Sequence, residues 1–173
     1  MPAISDYFEI NDEVGVIGPK LFTDESLITI QLSCCRRAGL FTSLVVYGKM
    51  QNLWKNSPFW RQFTYKKQLQ LNKPFQVDIV SGAALAIRKK VFDQIGGFDP
   101  KIFLYFEEND LCLRVKQISH RVMYFPTAKV VHYGSGSMGG KQSLETVFNT
   151  SRKYYFTKHC SRYQAWIINN LLK

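Results

Sequence analysis

Apolar residues in this chain come in short runs ended by breakers, and no run approaches the roughly 18 residues that a membrane span needs. Runs of that length suit strands and the core-facing stripes of helices. Residues 5–11 read as the tail of a helix, and Val14-Gly15-Val16-Ile17-Gly18-Pro19 as a short buried strand stopped by its glycine and proline. A second strand is predicted over 27–32, behind the turn Thr23-Asp24-Glu25-Ser26. Residues 75–88 read as two extended stretches joined at Ser81-Gly82, where the backbone must come close to something. A short helix over 89–95 is closed by Gly96-Gly97.

The pattern then changes period. Leu111, Cys112, Val115 and Ile118 give residues 107–118 one apolar stripe at helical spacing. Strands are predicted over 121–125 and 128–133, split by Pro126, and the Gly/Ser-rich stretch 134–140 reads as a loop. The end of the chain, 145–173, has an amphipathic pattern that suits one helix or a helical pair. Between 39 and 71 aromatic and basic residues interleave, which predicts helical pieces broken at Asn56-Ser57-Pro58. That stretch suits helices whose basic stems snorkel, or a surface that meets a membrane or a lipid-linked acceptor.

The chain has 173 residues, 46% of them hydrophobic, which is about one domain with ample material for a core. Its division is expected at 141, with 142–173 as a C-terminal helical segment. Neither a secretory leader nor a membrane span is legible, so the expected location is the cytoplasm, with the inner face of the membrane as a possible peripheral site. Cys34, Cys35, Cys112 and Cys160 lack the paired spacing of a zinc knuckle or a redox pair, and reduced thiols are expected. The formal charge of +10 suits nucleic acid, an anionic membrane or phosphorylated substrates. With no helix-turn-helix, zinc-finger or RNP-like pattern, nucleic acid is not an expected partner.

Two places carry residue types suited to chemistry. Glu107-Glu108-Asn109-Asp110 opens the predicted helix directly after the aromatic run Phe103-Leu104-Tyr105-Phe106. Acids are favoured in a first helical turn by the macrodipole and by capping, which explains the cluster without any function. A carboxylate that takes a proton from a sugar hydroxyl also needs a rigid position beside a partly apolar wall, and Phe103, Tyr105 and Phe106 could form it. His132 ends an apolar strand just before the glycine-rich loop, where it is either structural or a metal ligand. One imidazole cannot hold a hard cation, so oxygen ligands would come from elsewhere. The loop 134–141 could offer backbone amides to a phosphate, or act as a lid.

Taken in order, Val80 to Arg88, Ile95-Gly96-Gly97-Phe98-Asp99, Tyr105 to Arg114 and Val130-Val131-His132 resemble the bacterial rhamnosyltransferase-like branch of family-2 glycosyltransferases. The likeness runs from about Val14 to His132. It implies an α/β, mixed-sheet GT-A-like (nucleotide-diphospho-sugar transferase) fold and inversion at the anomeric carbon of a nucleotide-activated sugar. By the same resemblance Glu108 is the general base, with Glu107 beside it as the other acid of the pair; the family usually has Asp at position 108, one methylene shorter. Asp78, Ser81, Gly82 and Asp110 match substrate-pocket positions, and His132 matches a histidine that helps hold a divalent cation, Mg or Mn. The family's first strand, nucleotide-contacting loop and Asp-x-Asp-like motif have no counterpart before Pro2, so the resemblance implies a fold truncated at the N-terminus. The expected partners are a nucleotide-sugar donor, a glycan or lipid-linked acceptor, and a possible separate N-terminal half. The expected function is glycosyl transfer in cell-surface polysaccharide or glycan biosynthesis, against a non-catalytic remnant or a basic membrane-surface module.

Overall fold

The computed structural model describes residues 2–47, 57–134 and 141–172. Its centre is strand β1 (Val14–Phe22), in which all nine residues are buried. Such a strand must be covered on both faces, which is why it reads as a continuous apolar run. On one face Val14 and Ile17 pack with Met123, Phe125 and Ala128 under Ile4, Tyr7 and Phe8 of helix α1 (Pro2–Ile10). On the other, Val16 joins Val77, Val80, Val91, Cys112, Val115, Val122 and Tyr124 in the main core. Arg88 clamps the end of α1 to β1, donating from Nε to the Val14 carbonyl at 2.9 Å and from Nη2 to the Asn11 carbonyl at 3.0 Å.

The sheet is mixed. Strand β7 (Arg121–Val131) runs parallel to β1 in the order β2-β1-β7-β4, where β2 is Ile30–Gln31 and β4 is Phe75–Val77, both antiparallel to their neighbours. Strand β6 (Ala86–Ile87) adds a further antiparallel partner to β1. A separate two-stranded pair joins β3 (Cys34–Cys35) to β5 (Ile79–Val80). This arrangement of strands and flanking helices is an α/β fold of the GT-A-like kind.

Three strand boundaries differ from the sequence reading. β1 continues through Gly18 and Pro19 to Phe22, and β7 continues through Pro126. The parallel register jumps between the Pro19–Phe125 and Lys20–Lys129 pairs. Both prolines therefore sit where the ladder is already interrupted by a bulge, and their missing N–H groups break nothing. Gly18 persists mid-strand because a Cβ there would lie 2.5 Å from Val80 Cβ, so the crossing strand β5 needs the bare backbone. The strand expected over 27–32 shrinks to Ile30–Gln31, since the Asp24 carboxylate holds the preceding turn by accepting from Ser26 N at 2.9 Å.

The remaining elements are helical. α2 is Leu40–Tyr47, α3 is Pro58–Phe63, and a 3-10 turn covers Gln68–Gln70. The predicted break at 56–58 is the start of α3: Ser57 Oγ accepts from Trp60 N at 3.1 Å and Pro58 takes the first turn. α4 is Lys89–Gln94, followed by Gly96 and Gly97 at φ 76° and 73°. α5 is Glu107–Gln117, and the chain ends in a helical pair, α6 (Lys141–His159) and α7 (Arg162–Leu171). A capping box at Ser161 and Gln164 opens α7. The Gly/Ser loop at 135–140, and Lys49, Trp54 and Lys55 of the aromatic-basic stretch, lie outside the described residues.

Candidate functional site

The start of α5 is built in an unusual way. Tyr105 and Phe106 both have positive φ, 64° and 69°, and Phe106 is the N-cap residue without any side-chain cap. Two successive left-handed aromatic residues are costly, so the surroundings must hold them. They do. Phe106 is buried among Tyr155, Phe156, Ile168 and Leu172 of the C-terminal helices, and Ser151 Oγ donates to the Leu104 carbonyl at 2.7 Å. Ile102 lies in the same apolar cluster, while Asp99 accepts from Tyr154 Oη at 3.0 Å and Lys158 Nζ at 2.7 Å. The C-terminal helices thus hold the whole approach to α5.

This entry presents Glu107 and Glu108 to a cleft of about 350 Å³ lined also by Ser81, Gly82, Ala83, Leu104, Tyr105, His132, Gly134 and Leu144. Gly82 sits against both acids: a Cβ there would lie 3.2 Å from Glu107 Oε1 and 3.5 Å from Glu108 Cβ. Ser81 fixes that segment, with its N–H donating to the Ser33 carbonyl at 2.9 Å and its Oγ accepting from Ala83 N at 3.2 Å. Of the aromatic wall suggested by sequence, Tyr105 lines the cleft, Phe106 faces the core, and Phe103 is exposed.

Glu108 is partly buried, and its carboxyl is pushed up to about 7, first by burial and then by the neighbouring Glu107 carboxylate. The backbone N–H groups of Glu108 and Asn109 pull in the other direction without winning. Glu107 Oε2 is enclosed and has no hydrogen-bond partner among the described residues.

Asp78 and Asp110, expected near the substrate, are not among the residues that line this cleft. Asp110 is completely buried outside the cleft, where it pairs with Arg114 at 2.6 Å, Lys158 at 2.6 Å and His159 at 2.7 Å. Burial alone would raise its pKa, but hydrogen bonds from His159, Lys158 and Arg114 outweigh it and hold the carboxyl well below its usual range. Asp78 accepts from Arg37 N at 3.0 Å and pairs with Lys116, an arrangement that lowers its pKa despite burial.

His132, at the end of β7, lines the same cleft as the two glutamates, with Nδ1 3.1 Å from Gln31 Oε1 and its backbone N–H donating to the Phe22 carbonyl at 2.9 Å. Among the described residues no group of three or more His, Cys, Asp or Glu side chains is placed to hold a metal ion. His132 offers one ring nitrogen and no more, so these residues do not by themselves fit a hard divalent cation. Leu104 and Leu144 join the lining from the approach to α5 and from α6, places where the sequence carries no signal beyond apolarity.

Comparison with known proteins gives this geometry a context. The model of a family described as "Glycosyltransferase like family 2" matches residues 21–164. The N-acetylglucosaminyl-diphospho-decaprenol L-rhamnosyltransferase of Mycobacterium tuberculosis is 27% identical over 113 residues, covering 65% of this chain and 36% of the relative. Rhamnosyltransferase WbbL of Escherichia coli is 37% identical over 57 residues, 33% of this chain and 22% of the relative. The uncharacterized protein y4gI of Sinorhizobium fredii is 31% identical over 134 residues, 76% of this chain and 13% of the relative. The chain therefore spans little more than a third of the length of the mycobacterial relative.

Proposed function

The chain belongs to glycosyltransferase-like family 2, and on that premise we propose that its cleft is the acceptor side of an inverting, nucleotide-sugar-dependent glycosyltransferase with Glu108 as general base. The observation that carries the reading is the position of Glu108: a partly buried carboxyl at a helix start, lining a sugar-sized cleft, with its pKa raised towards neutrality. A base works best when its pKa lies near the working pH, because it is then both ionised and basic enough.

In the proposed step the acceptor hydroxyl enters the cleft beside Glu108 and gives its proton to Glu108. Its oxygen forms a bond to the anomeric carbon while the bond from that carbon to the diphosphate breaks on the opposite face. The nucleoside diphosphate leaves with the electron pair. Glu107, which lines the same cleft, accepts a hydrogen bond from a neighbouring sugar hydroxyl, and Tyr105 supplies a ring for the sugar face to rest on. Ser81 and Gly82 line the cleft beside the two acids, and the missing side chain at Gly82 lets its backbone sit against them.

The rhamnosyltransferase names of two relatives make a nucleoside-diphosphate L-rhamnose the first donor to try, and a lipid-linked or glycan hydroxyl the first acceptor, in the synthesis of a surface polysaccharide. A divalent cation, Mg or Mn, is the cofactor that the family implies. His132 would supply one ligand and the described residues do not complete a site, so no step proposed here passes through it.

The test is transfer by the whole protein with Glu108→Gln. The variant is expected to lose at least about a hundredfold in kcat while the acceptor still binds, since general-base catalysis contributes about a hundred- to ten-thousandfold. Turnover within about tenfold of the wild type would remove Glu108 from the base role.

A further inference from the structure

Between Glu25 and Asp78 the sequence holds eight lysines and arginines and not one acid, so this third of the chain carries most of the net charge of +10. The structure sets five of the described basic residues in a strip around α3, where they border three surface hollows. Arg61, Lys66 and Lys67 frame a shallow hollow of about 310 Å³ with Gln70. Lys66 and Gln70 also border the next hollow, lined by Ile28 and Ile30. On the other flank of α3, Arg36 and Arg37 border a third hollow with Phe59 and Gln62.

Two further properties distinguish the strip from an ordinary solvated face. Arg61, Lys66 and Lys67 form no ion pair among the described residues, and the nearest acid in sequence, Asp78, is already engaged by Lys116 and the Arg37 backbone. Large apolar side chains stand out beside the charges: Ile28 is 80% exposed, Phe41 69% and Leu71 53%. Phe41 is set against Phe59 with ring centroids 6.3 Å apart, which ties it to the hollow bordered by Arg36 and Arg37.

We propose that this strip is a docking surface for an anionic lipid bilayer, with Arg61, Lys66 and Lys67 at the headgroups and Ile28, Phe41 and Leu71 entering the interface. Unpaired cations against a negative leaflet supply the attraction, and apolar groups at the same level add burial. Single-stranded nucleic acid would call for open aromatic platforms along a groove, whereas two of the three protruding apolar groups here are aliphatic. The inference does not depend on the chemistry of the cleft, which lies on other elements.

The test is co-sedimentation of the protein with vesicles of phosphatidylcholine alone and of phosphatidylcholine with phosphatidylglycerol, at low and high salt. Binding to the anionic vesicles only, weakened by salt, is the expected result. The triple reversal Arg61→Glu, Lys66→Glu, Lys67→Glu should weaken it by at least about a hundredfold, and Phe41→Ser with Leu71→Ser should weaken it at high salt. Reversal of Lys90, Lys101 and Lys153, basic residues away from the strip, serves as a control for net charge. Equal loss in the control, equal binding to neutral vesicles, or binding to single-stranded RNA with none to vesicles would each overturn the proposal. Circular dichroism checks that each variant folds, and transfer to a water-soluble acceptor should be unchanged in the triple reversal.

Discussion

Glu108 is placed where catalysis wants a carboxylate and stability does not. Its folded-state pKa, about 7, is raised above the ordinary value of 4.5, so the folded chain binds the proton more tightly than the unfolded one. Stability contributed by this group therefore falls as pH rises from about 4.5 to about 7, and the full cost is present above that window. Glu108→Gln should raise the unfolding free energy by about 1–2 kcal/mol near pH 8 after allowance for partial exposure, and by almost nothing near pH 4.5. Thermal melts at the two pH values check this. Asp110 shows the opposite case: its depressed pKa gives stability that is complete above the unfolded value and is lost as pH falls below it. Asp110→Asn leaves Arg114, Lys158 and His159 without their shared counter-charge and should cost about 3–5 kcal/mol in urea unfolding. One helical turn thus holds the carboxylate proposed as the base and another whose ion pairs serve the architecture. The spacing of Glu107, Glu108 and Asp110 showed that the turn was special, but not which acid faced which way, because two of the three partners of Asp110 lie 48 and 49 residues further along the chain.

At the scale of elements, the helix that bears the acids is only as well placed as its approach. Tyr105 and Phe106 adopt left-handed backbone that nothing in their residue types favours, and the C-terminal helices hold them there. The apolar stripe of α5 and the helical period of the chain's end were both readable, since each follows from burial on one face. Their mutual dependence was not, because a side chain on α6 that bonds the Leu104 carbonyl leaves no local pattern. Ser151→Ala removes that bond and should cost about 1 kcal/mol in stability. It should also lower kcat more than it raises KM, because a small shift of the carboxylates matters most in the transition state. Steady-state kinetics separate this from simple loss of folded protein.

For the molecule as a whole, the central strand pair and its two covered faces were legible in part. Val14 to Ile17 announced a buried strand, but Gly18, Pro19 and Pro126 looked like ends and are instead accommodated at a bulge where the two long strands slip register. Breaker residues mark the end of a strand only when the ladder needs their N–H, which sequence alone does not reveal. The cleft combines parts from distant positions, Ser81 and Gly82 before α5, Glu107 and Glu108 on it, and His132 at the end of β7. Its central claim is that a carboxyl at position 108, raised towards neutrality, takes the acceptor proton. The most direct measurement is the pH dependence of kcat/KM for transfer by the whole protein. The account predicts a rate that rises with a single proton loss near pH 7 and then levels, with Glu108→Asp keeping the limb at reduced height. A rate that is flat from about pH 5 to about pH 8, or an unchanged limb in Glu108→Gln, would contradict it.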